Sequence, residues 1–319
     1  MKIPFSALGL WITRVSLSIL IGGCVAPTEP PLAPSSAVFT PTHTATNTQR
    51  TTPTPSPTST TSPTTTPQPT PTPTSTPLPT LSADQAQALM LDLFRNNAGC
   101  RLPCWWGITP GQTSWETAQR LLATFASGIE LGSSAEHHFY TVYLVVPAEI
   151  YPYKIEFYPV LTQDYDVIDG TVEVIQVEPG LVPNYDLSEF LKTYGSPAEI
   201  WLRTYNQARE GDLPFDVVLF YPEQGILARY ATQAKAVGRR IRGCPQQRPA
   251  AILALWSPER KLTFSEATSQ TTDIRNEDWW PYRPLQEATG MDVETFYQTF
   301  KNSTNSICLE TPAELWPQP

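Results

Sequence analysis

The chain has 319 residues, 30 acidic and 21 basic, for a net charge of −9. An acidic surplus repels nucleic-acid phosphates, which excludes a nucleic-acid partner. The 34 prolines and five cysteines are unevenly spread, and their positions divide the chain.

Lys2 and Arg14 make a positive start, and the apolar run from Val15 ends at Leu20-Ile21-Gly22-Gly23 before Cys24. A short apolar stretch closing on small residues and a cysteine reads as a secretory signal of the bacterial lipoprotein type, covering 1–23. The run is too short to cross a hydrocarbon core, which needs about twenty residues. The alternative is an ordinary secretory signal with an incidental cysteine. The glycines before Cys24 and the tether behind it favour lipidation. Cys24 then carries diacylglycerol and an amide-linked acyl chain, and several chains hold firmly where one does not. The expected location is the bacterial cell envelope, lipid-anchored and exposed outside the cytoplasmic membrane.

Residues 24–81 form the tether. From Val25 to Thr80 there are 15 Pro and 20 Thr, with Glu29 and Arg50 the only charges. Such a stretch cannot offset its ordering entropy and is expected to be disordered. Its prolines favour an extended polyproline-II chain reaching at most about 170 Å, at about 3.1 Å per residue. That reach suits display beyond a cell-wall layer, although a neutral spacer is the simpler reading. Loss of Lys2 and Arg14 with the signal leaves 19 basic against 30 acidic residues, a net charge of −11.

Residues 82–319 form the globular part. Ser82 and Gln85 fit a capping box, and Ala86, Leu89, Met90, Leu93 and Phe94 recur at helical spacing up to Gly99. Thr113 with Glu116 opens a second helix, lined by Trp115, Ala118, Leu121, Leu122 and Phe125 and closed by Gly128. Asp186 with Glu189 opens a third through Leu187, Phe190, Leu191 and Tyr194, stopped by Gly195 and Pro197. Asp292 starts a fourth through Val293, Phe296, Tyr297 and Phe300.

Strands are predicted from aromatic and β-branched content at His138–Val146, Tyr153–Tyr158, Thr171–Val177, Ile200–Tyr205, Phe215–Tyr221, Ile226–Tyr230 and Ala251–Trp256. Pro222-Glu223-Gln224-Gly225 reads as a hairpin turn. A helix followed by strands begins at Thr113 and again at Asp186, a coarse repeat. The predicted class is α+β, with helices on one face of an antiparallel sheet and two tandem units, 82–180 and 181–319.

Gly107-Ile108-Thr109-Pro110-Gly111-Gln112-Thr113 before a helix resembles the helix-opening motif of small lipoproteins that assist outer-membrane assembly. With the repeat layout, it also resembles the tandem helix-plus-sheet modules of secreted β-lactamase inhibitor proteins. Both resemblances imply a module that binds proteins and catalyses nothing. Cys100-Arg101-Leu102-Pro103-Cys104-Trp105-Trp106-Gly107 is similar to the Cys-x-x-Pro-Cys-Trp-Trp-Gly motif of Thr/Pro-tethered bacterial surface lipoproteins, a resemblance that implies no activity.

With Cys24 lipidated, Cys100, Cys104, Cys244 and Cys308 remain. An even number outside the cytoplasm reads as two disulfides, and four cysteines permit three pairings. Cys100 and Cys104 are sequence-local, and Pro103 restricts the turn between them, which favours Cys100–Cys104 with Cys244–Cys308. In the chain-entropy model the short loop contributes about 2 kcal/mol and the long one about 4 kcal/mol. A redox centre usually has Cys-x-x-Cys spacing at a helix start, and zinc needs a second close pair, so neither reading is favoured.

Trp105 and Trp106 are adjacent, so in extended backbone they point to opposite faces, one into the core and the other partly exposed. Trp279 and Trp280 repeat the pairing beside Glu277 and Asp278. Core filling is the simpler reading of each pair. Exposed aromatics beside carboxylates also stack on sugar rings, which makes all four tryptophans candidate ligand contacts.

Enzyme signals are sparse. The histidines are His43 in the tether and His137-His138 at a strand start, and there is no Gly-x-Ser-x-Gly elbow, Walker motif or Rossmann fingerprint. Carboxylates are plentiful between Glu156 and Glu189, yet no spacing singles out a glycosidase pair. Asp164-Tyr165-Asp166-Val167-Ile168-Asp169-Gly170 departs from the calcium-loop pattern and reads as a polar hairpin turn. Lys235, Arg239, Arg240 and Arg242 read as a solvated face. No catalytic residue, metal or cofactor is expected. The expected function is a non-catalytic protein-binding or structural module, its partners the membrane through the anchor and an envelope or extracellular protein. The alternative is an enzyme or binding module acting on cell-wall or extracellular carbohydrate.

Overall fold

Side-chain caps open four of the six α-helices among the described residues. The computed structural model describes residues 81–319 apart from 134–137, 147–149, 151–159, 208–212, 247–249, 272 and 304–305. The signal, Cys24, the tether and the predicted strand Tyr153–Tyr158 lie outside the described residues.

Helix α1 (Ala83–Asn96) opens on the expected reciprocal box between Ser82 and Gln85. In α2 (Trp115–Leu122) the cap is Ser114, whose Oγ accepts the Thr117 N–H. Thr113 turns the other way and accepts the Thr109 N–H at 2.9 Å, closing the turn before the helix. Helix α3 (Leu187–Tyr194) follows Asp186, α4 (Phe264–Ser269) follows a Thr263–Glu266 box, α5 (Leu285–Thr289) follows Pro284, and α6 (Val293–Phe300) is capped by Asp292.

The strands are β1 (Gly128–Ser133), β2 (His138–Val145), β3 (Val160–Ile168), β4 (Thr171–Val177), β5 (Glu199–Thr204), β6 (Leu213–Tyr221), β7 (Ile226–Val237), β8 (Arg240–Gly243), β9 (Ala250–Trp256), β10 (Arg283–Pro284) and β11 (Leu309–Pro312). They form an 11-stranded antiparallel sheet in the order β1-β2-β3-β4-β9-β7-β6-β5-β10, with β8 and β11 extending from β7. The stretch from Asp164, read as a turn, lies largely in β3. Only Asp169 (φ 50°) and Gly170 (φ 77°) turn, as a two-residue hairpin with both φ positive requires. Pro222–Gln224 links β6 to β7 as expected, and a Cβ at Gly225 (φ 66°) would collide with the Trp256 carbonyl.

Helix α2 precedes β1 to β4, and α3 precedes β5, β6, β7 and β9. The two meanders meet where their last strands pair, from Val174 opposite Trp256 to Val177 opposite Leu253.

Strand alternation divides the core in two. Val217, Leu219, Ile226, Ala228, Leu253 and Leu255 share a cluster with Phe94, Leu122, Phe190 and Phe296, from α1, α2, α3 and α6. The residues between them, Val218, Phe220, Leu227, Ala254 and Trp256, share the other cluster with Phe264 and Ala267 of α4. Placing every helix on one face therefore needs correction, because α4 belongs to the opposite face.

Cys100 pairs with Cys104 and Cys244 with Cys308, at Cα separations of 5.9 and 4.0 Å. The first pair sits in a loop built around Asn97, a buried residue in left-handed backbone at the end of α1 (φ 53°). Its Nδ2 donates to the carbonyls of Cys100 (2.9 Å) and Cys104 (2.8 Å), and its Oδ1 accepts the Trp106 N–H (2.8 Å). Asn97→Ala removes all three bonds and strands a buried N–H. Urea denaturation is expected to show a loss of about 3 kcal/mol, with the Cys100–Cys104 bond still present in a non-reduced digest.

Candidate functional site

Trp105 and Trp106 do not part to opposite faces. Reciprocal backbone bonds between Trp105 and Ile108 close a tight turn in which Trp106 (φ 56°) and Gly107 (φ 84°) are left-handed. That turn swings both indoles into the core, 0% and 1% exposed, stacked at 5.2 Å with Phe94 edge-on to Trp106 at 5.1 Å. Among the described residues their Nε1 groups have no hydrogen-bond partner, and ring packing surrounds them. As ligand contacts these two are corrected: neither indole presents a face to solvent.

Trp279 and Trp280 differ. The backbone closes a turn from the Glu277 carbonyl to the Trp280 N–H at 3.0 Å, with Trp279 at its tip, 62% exposed. Beneath it the indole of Trp280 lies 6.0 Å away, tilted by 24°. Trp280 stacks on Tyr205 at 4.7 Å and donates its Nε1–H to the Thr204 carbonyl at 3.0 Å. The Arg203 guanidinium packs between the rings of Trp280 (3.8 Å) and Tyr282 (4.1 Å). An exposed indole thus sits on a buttress whose lower members cannot turn.

The buttress ends in a buried charge cluster on the second sheet face. Asp216 on β6 accepts from Arg203 on β5 at 2.8 Å, Arg229 on β7 at 3.0 Å and the Tyr282 hydroxyl at 3.4 Å. Asp216 and Arg203 are buried, so their charges need each other there. Arg203 also donates to the Arg275 carbonyl at 2.9 Å, and Arg229 to the Asp273 carbonyl at 3.0 Å. Burial pushes the Tyr282 hydroxyl strongly up, and Asp216 adds to that, so it stays a donor.

Asp273 carries the network across the seam between the meanders. Its Oδ2 accepts from Gln176 Nε2 on β4 at 2.6 Å, and Gln176 in turn touches Asp164 on β3 at 3.4 Å. Thr141 on β2 donates to Asp164 at 2.9 Å. One polar band therefore crosses the face from β2 to β5. Apart from Asp164, weighed as an acid of a calcium loop, none of it stands out in the sequence: these residues are scattered over some 140 positions, and only strand alternation with the observed strand order lines them up. The Thr263–Glu266 box was a legible sign that a helix covers part of this face.

The other expected residues are placed plainly. His138 is exposed at the start of β2, while His43 and His137 lie outside the described residues. Lys235, Arg239, Arg240 and Arg242 lie exposed along the β7–β8 hairpin, where Arg240 meets Glu310 at 3.6 Å. Among the described residues no group of three or more His, Cys, Asp or Glu is placed to hold a metal ion, and no helix is long and apolar enough to cross a membrane. Two open clefts of about 300 and 380 Å³ lie elsewhere, by Arg95 and Tyr194 and by Trp201 and Leu285. In comparisons with known proteins, no family model, curated protein or solved structure matches the chain.

Burial raises the Asp164 carboxyl above its ordinary range, opposed by the Thr141 bond and helped by the charge of Asp273. A carboxyl raised on folding binds more protons folded than unfolded. Stability then falls as pH rises from the ordinary aspartate value through the raised one. Asp164→Asn is expected to remove this slope, read from melting temperature across the acid range.

Proposed function

We propose that this chain is a lipid-anchored surface lipoprotein whose α+β domain is a non-catalytic protein-binding module, with Trp279 as its central contact. The exposed, buttressed indole carries this reading. A large exposed apolar side chain with few rotatable bonds buries much area on binding, which is why tryptophan is enriched among residues that dominate interfaces. Support also comes from the charged groups beneath: Asp216 accepts from Arg203, Arg229 and Tyr282, and this cluster holds the buttress. The Gly23-Cys24 junction and the Pro/Thr tether support display outside the cytoplasmic membrane.

A carbohydrate ligand is the second reading, favoured by Glu277 and Asp278, which precede Trp279 in the same turn. An indole face takes the apolar side of a pyranose, and flanking carboxylates accept its hydroxyls.

Cross-linking capture from intact cells tests the first reading. Trp279→Ala is expected to reduce recovery of the partner about thirtyfold, as for a dominant interface tryptophan, with the melting temperature unchanged. Unchanged recovery contradicts it, and loss confined to glycan-array binding selects the second reading. For the anchor, Cys24→Ser is expected to move the protein from the membrane to the soluble fraction. Continued membrane retention would overturn lipidation.

A further inference from the structure

Strand β5 is incompletely covered at its outer edge. The two residues of β10 pair with Trp201 and Leu202, and the chain then leaves the sheet as α5. At Glu199 and Ile200, β5 has a strand partner only on the β6 side among the described residues. The cleft of about 380 Å³ lies there, between the start of β5, the start of α5 and the start of α6. Buried Ile200 and Leu285 form its floor, with Trp201 and Val293 half-buried beside them.

Two carboxylates stand at its rim, and no basic residue lines it. Both are held in place. Trp201 donates its Nε1–H to Glu199 at 2.8 Å, and the Thr295 N–H donates to Asp292 at 2.6 Å. The bond that caps α6 also keeps the Asp292 carboxyl below its ordinary range, so its charge persists. An apolar trough beside a bare strand edge, rimmed by two fixed negative charges, has a definite complement.

We propose that this groove binds an extended peptide segment of a protein partner, placing one apolar side chain over Ile200 and Leu285 and a lysine, arginine or amino terminus against Glu199 and Asp292. A bare edge offers backbone donors and acceptors to an added strand, and the pocket beside it selects the side chain. The charges select the sign of the flanking residue and repel acidic segments. The site lies on the strand that carries the Trp279 buttress: Trp201 and Tyr205 are about 13 Å apart at ~3.3 Å per residue. The proposal extends the protein-binding reading to a second surface, and the two fail separately.

The probe is acetyl-Val-Leu-Lys-Lys amide, titrated into the full-length protein and followed by amide chemical shifts, with acetyl-Val-Leu-Gln-Gln amide as its neutral twin. A short peptide on a shallow groove is expected to bind at roughly millimolar concentration. The lysine peptide is expected to bind about three- to tenfold more tightly than its twin at low salt, the worth of two partly exposed ion pairs. That advantage shrinks as salt is added. Glu199→Gln with Asp292→Asn keeps both acceptors, the one for Trp201 and the one that caps α6, so the fold is retained while the preference disappears. Trp279→Ala leaves peptide binding as it was. Equal affinity for the two peptides, no saturable shift with either, or a preference that survives the double substitution would overturn the proposal.

Discussion

The structure turns on the pairing of β4 with β9. The first meander is covered by helices on one face, the second on both. Once Val174 to Val177 align with Leu253 to Trp256, their hydrophobic faces become one surface. Helices α1, α2, α3, α5 and α6 then share that surface with strands from both halves in a single cluster. Pairing across so many intervening residues carries a loop-closure cost, and it holds because both partner strands are buried on both faces where they meet.

The same pairing creates the second face. Gln176 of the first meander and Arg229 of the second come near enough for Asp273 to contact both, through its carboxylate and its carbonyl respectively. The segment leading from Asp273 to Tyr282 is thereby clamped over the sheet, and Trp280 is pinned by Thr204, Tyr205 and Arg203. A buried Arg–Asp–Arg cluster is an uncertain source of stability compared with packed hydrophobic residues. Here it also has a geometric consequence: guanidinium planes fix where two aromatic rings lie, and so where the exposed indole stands.

Strong periodicity and strong caps made most elements legible. The apolar spacing in α1, α3 and α6 and the β-branched runs of β2, β4, β6 and β9 survive whatever surrounds them, because each carries enough apolar surface to need a core. Elements with a mixed signal were harder. β3 alternates its buried Leu161, Gln163, Tyr165 and Val167 with polar residues and reads as a turn because its acids stand out. β10 and β11 are too short to show a period. At Trp105-Trp106 the error was of another kind: two adjacent large residues imply opposite faces only in extended backbone, and Gly107 allowed the chain to turn left-handed instead.

Local chemistry, then, was written in the order of residues: the caps at Ser82 and Asp292, the short cysteine pair and the α+β class. These depend on neighbours within a turn or two, or on composition. Which tryptophan is exposed, which face α4 covers, and the meeting of Asp164, Gln176, Asp273, Arg229, Asp216 and Arg203 in one band depend on strand order and register. Register is a property of pairs of distant strands, and a slip of one residue sends every side chain to the other face. That choice rests on the burial of both faces at once, which no single stretch of the chain contains.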